Sequence, residues 1–436
     1  MRTSAQDSID YAFVNNKTYE YYLQGNWDEI IKLGKKAIKN DIDYYYLRMR
    51  LGIALYEKGN YLWAKKHFDK ARSFNSGDTT INYYLYSIYR NTGNYKTALF
   101  YEKKLSDSQL DYLQIPKNKP FVSGFAAEMN IFSNPSFNSQ LEVSPETLFP
   151  NSKKTITNNF TNTYIYLNHL MGKRLSYSHA ITFLSLSGQV LSMPPIMPTP
   201  PPLEGYLSDE QKVKQTQYYG KFSLQLAKRS NFGFGIHSIG SSTESFRGRG
   251  ARMESSNTRE RNFVKFLSFT QGFSIFQING FLAKSNLNLE HQTQFGAGLT
   301  ILPFGNLNQY LFGEFSSVTE NDSIQRQIIR IKAGSKIYRN LWLEGSLTIG
   351  EIMNYLESDG LLVYNNTSTI LSKTEITLYL YRPKNKIQYY LRYSLNKNRG
   401  DGFYEKFEED APIEFQTPEP EIFNTNTFTG GIKWQF

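Results

Sequence analysis

The sequence predicts an α + β multidomain chain, in which a short N-terminal α-solenoid precedes a C-terminal antiparallel transmembrane β-barrel of about 14 strands. Three observations predict it. The first hundred residues repeat at an interval of 34, and the remaining residues alternate between apolar and polar side chains. The connections between the alternating segments are short on one side and long on the other. A period near 3.6 indicates helices and a period of two indicates strands, so the two halves differ in secondary structure.

The helical repeat is marked by three Gly-Asn-aromatic turns, Gly25-Asn26-Trp27, Gly59-Asn60-Tyr61 and Gly93-Asn94-Tyr95. Around the second turn, the small residues Gly52 and Ala64 let two helices approach, and Phe68 fills the gap to the next helix pair. This pattern resembles the tetratricopeptide repeat, in which 34 residues form two antiparallel helices. We expect about three repeats, with atypical first and third copies, because terminal repeats face solvent on one side.

Four segments follow from these periods. The chain divides into an N-terminal tail over 1–10, a repeat domain over 11–114, a linker over 115–120 and a barrel over 121–436. The linker is predicted because Pro116 and Pro120 discourage a continuing helix.

Composition excludes several classes of protein. The mean hydropathy is −0.50, and the absence of a stretch of about 18 apolar residues excludes a transmembrane helix. A barrel passes that test because only alternate residues face lipid, and aromatic girdles would account for part of the 32 Tyr and 31 Phe. The chain has no cysteine, which excludes disulfides and thiolate metal sites and is compatible with the periplasm.

The net charge is +10, but lysine and arginine are scattered along the chain, so no nucleic-acid partner is predicted. Residues Met1–Ser8 show no apolar core of a signal peptide. An outer-membrane protein needs such a peptide, so we expect that this sequence is the mature form or that its start codon is misplaced.

The last ten residues alternate strictly. One face carries Phe428, Gly430, Ile432, Trp434 and Phe436, and the other face is mostly polar. An alternating strand that ends on an aromatic residue resembles the closing strand of bacterial outer-membrane barrels. We therefore assign barrel closure and assembly to Phe428, Ile432, Trp434 and Phe436. A soluble β-sandwich alternates in the same way and stays an alternative.

About fourteen strand-like runs follow the linker, each long enough to cross a bilayer. They begin at Phe121, Thr157, Leu175, Lys214, Phe232, Phe263, Phe273, Gln292, Asn308, Ile324, Leu341, Lys373, Lys386 and Phe423. Connections after even-numbered runs are short. The long connections follow odd-numbered runs and are Ser133–Ile156, Leu191–Val213, Thr243–Asn262, Asn354–Ser372 and Asn396–Ile422. Two connections after odd-numbered runs, near Lys284–Glu290 and Thr319–Ser323, are short exceptions. This asymmetry is typical of outer-membrane barrels, and an even strand number places both barrel ends and the repeat domain in the periplasm.

Three of the long loops have a distinctive composition. The third is basic, with Arg247, Arg249, Arg252, Arg259 and Arg261. The last is acidic, with Asp401, Glu405, Glu408, Glu409, Asp410, Glu414, Glu419 and Glu421. They could pair as a lid, dock partners or simply be solvated. The second contains the proline-rich run Met193–Pro202, which is stiff and extended and could contact a partner or act as a spacer.

The strand phase places charges of both signs in the barrel lumen. They are Lys221, Glu314, Arg330, Lys332, Glu344, Glu375 and Arg392. They could line a selective channel, form an ion-paired interior, or surround a loop that fills the lumen. A dedicated ion pore should show one sign in excess, so the mixture favours the second and third interpretations.

The sequence gives little support for catalysis. The five histidines are His67, His169, His179, His237 and His291, and none has the spacing of a metal site or catalytic triad. The pair His237-Ser238 is similar to the histidine and serine of outer-membrane hydrolases, but a solvated strand histidine is the preferred interpretation. We therefore predict no enzyme activity, no cofactor and no metal.

A periplasmic repeat module joined to a barrel of about fourteen strands resembles the surface lipoprotein assembly modulators, across the whole chain and at the level of architecture. The resemblance implies a translocon that captures a client in the periplasm and helps it reach the cell surface. The implied partners are outer-membrane lipids and proteins that bind the repeat domain or the long loops. Candidate contact residues on the first helices of the repeats are Tyr19, Tyr22, Arg48, Tyr56, Tyr83 and Tyr86. Inter-repeat packing would explain the tyrosines equally well.

Two other functions remain open. The chain could be a non-transporting barrel subunit of a larger hetero-oligomeric complex for protein insertion or secretion. It could also export polysaccharide, but such exporters usually carry more repeats and a wider lumen with charges of one sign.

Overall fold

The computed structural model describes residues 9–115, 121–142, 153–172, 174–192, 207–247, 254–366, 368–400 and 420–435. Within these residues the chain forms an N-terminal group of helices and a closed β-barrel. The predicted combination of a helical N-terminal part with a 14-strand antiparallel barrel is confirmed. None of the described helices has both the length and the hydropathy needed to cross a bilayer.

Seven helices of the described part of the chain precede the barrel, and together they are called the helical module below. They are α1 (Tyr11–Leu23), α2 (Trp27–Lys39), α3 (Tyr45–Glu57), α4 (Tyr61–Phe74), α5 (Thr79–Asn91), α6 (Tyr95–Glu102) and α7 (Asp107–Tyr112). The first six form three hairpins, whose tight turns contain Gly25, Gly59 and Gly93 with φ of 65°, 75° and 74°. Glycine suits these turns because positive φ is costly for residues with a Cβ atom.

Small residues set the distance between the packed helices. A Cβ atom on Gly34 would lie 2.6 Å from the Leu51 side chain, and one on Gly52 would lie 2.8 Å from Phe68. Both glycines are therefore covered directly by a large apolar side chain of another helix. Leu51 and Phe68 are themselves fully buried, so the close approach of the helices builds the core of the module.

The barrel is closed by strands that pair in an antiparallel meander. They are β1 (Val122–Ser133), β2 (Lys153–Met171), β3 (Leu175–Ser192), β4 (Leu207–Ala227), β5 (Ser230–Arg247), β6 (Glu254–Phe273), β7 (Phe276–Ser285), β8 (Gln292–Ile301), β9 (Gln309–Glu320), β10 (Ile324–Tyr338), β11 (Leu341–Ile352), β14 (Thr369–Arg382), β15 (Ile387–Gly400) and β16 (Glu421–Gln435). Two further short strands, β12 (Tyr355–Glu357) and β13 (Leu362–Tyr364), pair only with each other. A short helix α8 (Phe137–Leu141) lies in the connection between β1 and β2.

The two barrel ends differ. The end that carries the short turns, the start of β1 and the end of β16 also meets the helical module, and it is called the module end. The opposite end, which carries the long connections, is called the loop end. Both termini of the barrel lie at the module end because the strand number is even.

Several strands are longer than the alternation predicts. The second, fourth and sixth begin at Lys153, Leu207 and Glu254, several residues before the predicted starts. These extensions are rich in Thr, Asn, Gln, Lys and Glu, so they lack the apolar face on which the prediction relied, yet their backbones still pair with the neighbouring strands. As a result Arg259 and Arg261 lie in β6 and not in a loop.

The outside of the barrel is apolar around its whole circumference. Large exposed side chains alternate with inward residues on strand after strand, as with Ile165, Phe234, Phe295, Ile331 and Leu391. A continuous exposed apolar surface of this kind is typical of contact with a membrane. The barrel therefore has the exterior of a protein that spans a bilayer, and barrels of this form are typical of the bacterial outer membrane.

Candidate functional site: the occupied lumen and the module seam

The seven charged residues that the strand phase predicts to point inward lie on the inner face of the barrel wall. They are Lys221, Glu314, Arg330, Lys332, Glu344, Glu375 and Arg392. Opposite charges meet there: Arg330 donates two hydrogen bonds of 3.0 Å to Glu314. In addition, Lys373 lies 2.8 Å from Glu375. The inner face is thus ion-paired, as in the second interpretation of the sequence.

Residues 353–366, between β11 and β14, fold into the lumen and form the lumen hairpin. The sequence predicts that this segment belongs to the long connection Asn354–Ser372. Instead, β12 and β13 pair through Tyr355 and Tyr364, through Leu356 and Val363, and through Glu357 and Leu362. Tyr355, Leu356 and Glu357 are buried. A loop therefore occupies the lumen, as in the third interpretation.

Side chains of the barrel wall hold the lumen hairpin by its backbone and by its carboxylates. Gln294 donates to the carbonyl of Leu356 at 2.8 Å and accepts from the Leu356 amide at 2.9 Å. Arg330 binds the Glu357 carboxylate. At the hairpin tip, Lys221 donates to Asp359 at 2.5 Å.

An apolar surface of the wall faces the same hairpin. Leu356 belongs to a buried cluster with Tyr219, Ile239, Val264 and Phe266 of the wall. Leu361 and Val363 of the hairpin pack against the edge of this cluster. The wall thus offers the hairpin an apolar cluster on β4, β5 and β6, beside the cation Lys221, and charged groups on β10 and β14.

His237 is buried and is not the solvated strand histidine that the sequence analysis prefers. Its Nδ1 donates to the carbonyl of Gly360 at 2.8 Å, and its Nε2 lies 3.0 Å from Gln217 Oε1. The adjacent Ser238 lies on the opposite face of β5, since neighbouring strand side chains alternate, so the two form no dyad. Among the described residues, no group of three or more acidic, histidine or cysteine side chains could hold a metal ion.

The helical module is bound to the turn between β8 and β9. The backbone amide of Leu62, at the start of α4, donates to the carbonyl of Gly305 at 2.9 Å. Asn306 donates from its side chain to the carbonyl of Gly59 at 2.9 Å. A repeat turn of the module therefore meets a barrel turn directly.

The turn between β4 and β5 forms a second contact with the module. The Thr97 hydroxyl, which is fully buried, accepts from the Gln225 side chain at 3.0 Å and from the Arg229 amide at 3.3 Å. The Lys228 ammonium lies 5.3 Å from the centre of the Tyr101 ring. The module is thus seated on the module end at two turns that lie four strands apart.

Three of the predicted partner-contact residues lie at or near the module surface. Tyr19 is 50% exposed and has the guanidinium of Arg50 at 5.1 Å from its ring centre. Tyr22 packs edge-on against Trp27, with ring centres 6.1 Å apart. Tyr83 is partly buried and packs against the main core of the module. Of the three, Tyr19 is the most accessible to a partner.

The other three have partners within the module. Arg48 forms an ion pair with Asp43, whose carboxylate lies 2.6 Å away. Burial raises the pKa of Tyr56 to about 12. Tyr86 is only 3% exposed and accepts a hydrogen bond from Arg90 at 3.1 Å. For Tyr56 and Tyr86 the packing interpretation describes their surroundings better than contact with a partner does, and Arg48 is held by its ion pair within the module.

His67 lies behind Arg48 in the module. Arg48 donates to its Nδ1 at 3.2 Å, which requires the neutral imidazole as acceptor. Burial and the neighbouring positive charges of Arg48 and Lys66 lower the pKa of His67 from 6.5 to about 4. The module therefore folds around an uncharged histidine at neutral pH.

The C-terminal strand closes the barrel by pairing with both β1 and β15, as the sequence predicts. Phe428 and Trp434 point outward and are exposed, Ile432 shares their face, and Phe436 lies outside the described residues. Gly430 lines an outward apolar groove of about 540 Å³ together with Met129 and Leu391. On the inner face, the Tyr390 ring lies over Gly431.

The distinctive loops fall mostly outside the described residues. This applies to Met193–Pro202, to Arg249 and Arg252, and to the acidic residues within 401–419. Glu421, which begins β16, binds Lys154 of β2 at 2.9 Å. The predicted lid between the basic and acidic loops stays a prediction.

Sequence reasoning missed five residues that join the parts of the molecule. They are Thr97, Gln294, Asn306, Glu357 and Asp359. One signal was available for the last two, because they are the only Asp or Glu between Asn354 and Asn366, in a segment that is otherwise rich in apolar residues. The other three are ordinary polar residues in strands, turns or helices, and no local pattern marks them.

No protein-family model and no curated protein matches this chain. Among solved structures, the toluene transporter TodX of P. putida is similar at 8% identity and a TM-score of 0.47, over 76% of this chain and 92% of that chain. The translocator domain of the autotransporter NalP from Neisseria meningitidis is similar at 9% identity and a TM-score of 0.32, over 78% of this chain and 97% of that chain. MamA is similar at 21% identity and a TM-score of 0.22, over 26% of this chain and 64% of that chain. These similarities concern architecture, and function has to be argued from the site.

Proposed function

We propose that this chain is a non-conducting, barrel-anchored subunit of outer-membrane machinery that assembles or exports surface proteins, including lipoproteins. In this proposal the barrel is a closed anchor in the outer membrane, and the helical module recruits protein partners in the periplasm. The chain has no catalytic role and needs no cofactor or metal.

One observation carries the proposal: a hairpin of the chain itself occupies the lumen. Buried ion pairs hold this hairpin, and the helical module is hydrogen-bonded to two turns at the module end. A route for a client or a glycan past the hairpin would require it to move. A partner-binding anchor requires no such movement, which is why we rank it above the translocon and above polysaccharide export.

The three helix pairs support a tetratricopeptide-type module. Their turn glycines recur every 34 residues with nearly the same φ, and Gly52 and Phe68 pack as that repeat requires. Such repeats build extended surfaces for protein partners. A protein ligand is therefore more consistent with the module than a small molecule.

The barrel contacts the third helix pair at Thr97 and the second at Gly59 and Leu62, so the surface of α1 and α3 away from these contacts is left for a partner. On that surface the Arg50 guanidinium lies between the rings of Tyr19 and Tyr46, at 5.1 and 5.8 Å from their centres. Tyr46 is 61% exposed. Tyrosine and arginine are enriched at binding hot spots, since they combine contact area with hydrogen-bonding groups. We assign partner contact to this group, which contains one of the predicted residues.

The test is purification of the full chain from native membranes in mild detergent, followed by identification of the proteins that co-purify. We expect stable membrane or periplasmic partners, and loss of at least one when Tyr19 and Tyr46 are both changed to alanine. Phe74→Ala is the matched control, because Phe74 is an exposed aromatic residue of the same module on α4. A chain that purifies alone and conducts ions strongly in planar bilayers would contradict the proposal.

A further inference from the structure

We propose that the barrel lumen contains a binding site for an acidic, extended peptide segment, and that the lumen hairpin occupies this site as an intramolecular stand-in. The inference rests on the proposed function, since it takes the displacing segment to belong to a protein of the same assembly machinery. It adds a second recognition site, separate from the helical module.

The wall recognises the hairpin as a peptide backbone. Gln294 pairs its side-chain amide with both the N–H and the C=O of Leu356, which is the way one peptide group pairs with another. His237 donates to the carbonyl of Gly360, and the Tyr219 hydroxyl donates to the carbonyl of Asp359 at 3.4 Å. Contacts of this kind do not depend on the side chain of the bound residue, so another extended segment could make them.

The charges of the hairpin and the wall are complementary. Glu357 and Asp359 are the only Asp or Glu from Asn354 to Asn366, and the segment contains no Lys or Arg. Glu357 lies between Arg330 and Lys373 of the wall, and Asp359 binds Lys221. Without the hairpin these cations would lose their carboxylate partners on it, so a replacement ligand has to bring negative charge of its own.

An apolar contact adds a preference for side chains between the charges. Leu356 enters the wall cluster of Tyr219, Val264 and Phe266, and Leu361 borders it. A replacement segment that alternates apolar and acidic residues would satisfy both surfaces, as Leu356 and Glu357 do on successive positions of one strand.

The hairpin is poorly suited to be a permanent part of the wall. Its two strands have three residues each and pair with none of the described barrel strands, and an isolated two-stranded hairpin is marginal on its own. Asn354, Ser358 and Asp359 have φ of 50°, 56° and 57°, which costs conformational free energy at non-glycine residues. Its order therefore depends on the wall groups that another peptide could take over.

The experiment uses the full chain with residues 354–366 replaced by a short Gly-Ser linker, and a fluorescent synthetic peptide with the sequence of residues 353–366. Fluorescence anisotropy should show saturable binding of the peptide to this variant. Binding should weaken at least tenfold for a peptide that carries Glu357→Gln and Asp359→Asn. It should weaken similarly when Arg330→Gln is added to the protein. If the variant keeps a folded barrel and does not bind the peptide, or binds the neutral peptide equally well, the proposal is wrong.

A second variant keeps the test decisive if the deletion does not fold. In the intact chain, Glu357→Gln with Asp359→Asn should speed hydrogen exchange of residues 353–366 and let the unmodified peptide bind in trans. Unchanged exchange together with no binding would overturn the proposal. The double change Tyr19→Ala and Tyr46→Ala should leave peptide binding intact, so failure of the module as a partner site can be told apart from failure of the lumen site.

Discussion

The amide of Leu62 donates to the carbonyl of Gly305, so a barrel turn satisfies one of the N–H groups that the start of helix α4 leaves without an intrahelical partner. The helix and the barrel thereby share a backbone hydrogen bond, and the module is not a freely tethered domain. Side chains reinforce it, because Asn306 of the same turn binds Gly59.

Changing Gly305 to alanine should release the module from the barrel. Gly305 has φ of 66°, and an added Cβ would lie 3.1 Å from the Leu62 amide nitrogen and 3.2 Å from Trp63. We expect faster limited proteolysis of the module in the full-length chain, while the heat-modifiable migration of the barrel stays unchanged. The control is Gly172→Ala in the turn between β2 and β3, where φ is 81° and an added Cβ meets nothing within 4 Å. Equal proteolysis of the two variants would contradict the contact.

Changing Gly431 to alanine should impair barrel closure, whereas the same change at Gly430 should not. A Cβ on Gly431 would lie 2.2 Å from the Tyr390 ring, whose hydroxyl donates to Glu128 of β1 at 2.6 Å. A Cβ on Gly430 points outward and lies 3.8 Å from Leu391. The measurement is the yield of folded, heat-modifiable barrel after refolding into detergent or lipid. Equal yields from the two adjacent variants would show that the Tyr390 contact does not matter.

The stability of the module should fall as the pH drops from about 6.5 to about 4. The pKa of His67 is about 4 in the folded chain and near 6.5 when it is solvated, so the unfolded chain binds the proton more readily. The stabilisation is therefore present above pH 6.5 and is lost progressively on acidification. At roughly 1.4 kcal/mol per pKa unit the effect is at most about 3.5 kcal/mol.

Urea unfolding of the full chain, followed by a probe placed in the module, measures this dependence. His67→Asn cannot gain the proton and should flatten the slope between pH 6.5 and 4. Asp43 and Arg48 remain in both proteins, so their titration does not explain a difference. An identical slope in the two proteins would exclude His67 as the cause.

Changing Gly52 to alanine should destabilise the module by about 1–3 kcal/mol, which is the usual cost of overpacking a core. The new Cβ would lie 2.8 Å from Phe68, a side chain that is fully buried and has little room to move. Gly77→Ala is the control, because its Cβ would lie 3.6 Å from Asn75 in an exposed turn. Thermal unfolding monitored by helical circular dichroism should show a lower midpoint for the first variant alone.

The barrel could be predicted from the sequence because alternation and loop length are local signals. The predicted strand starts at Leu175, Gln292, Ile324 and Leu341 coincide with the observed ones. The extensions of β2, β4 and β6 could not be predicted from alternation because both of their faces are mostly polar. They are strands because their backbones pair with the neighbouring strands. The alternation with a period of two also predicts which side chains face the lumen. For this reason the sequence predicts that Glu314 and Arg330 share the inner face.

The contacts between distant segments could not be predicted in this way. Nothing near Gln294 indicates that it meets Leu356, since the two are 62 residues apart and join only because a loop folds inward. Thr97 and Gln225 are 128 residues apart, and their contact depends on the angle at which the module meets the barrel. Such pairs are products of the tertiary fold and leave no periodic trace in the sequence.

The strands differ in length around the barrel: β4 has 21 residues and β8 has 10. At about 3.3 Å per residue and a tilt near 40°, one side of the rim stands roughly 25 Å above the other at the loop end. The barrel rim at the loop end is therefore uneven: it is high along the long strands β2 to β6 and low along the short strands β7 to β9. By strand length alone, the shortest way over the wall to the lumen hairpin lies at β7 to β9, so a segment entering from the loop end would cross the least barrel wall there.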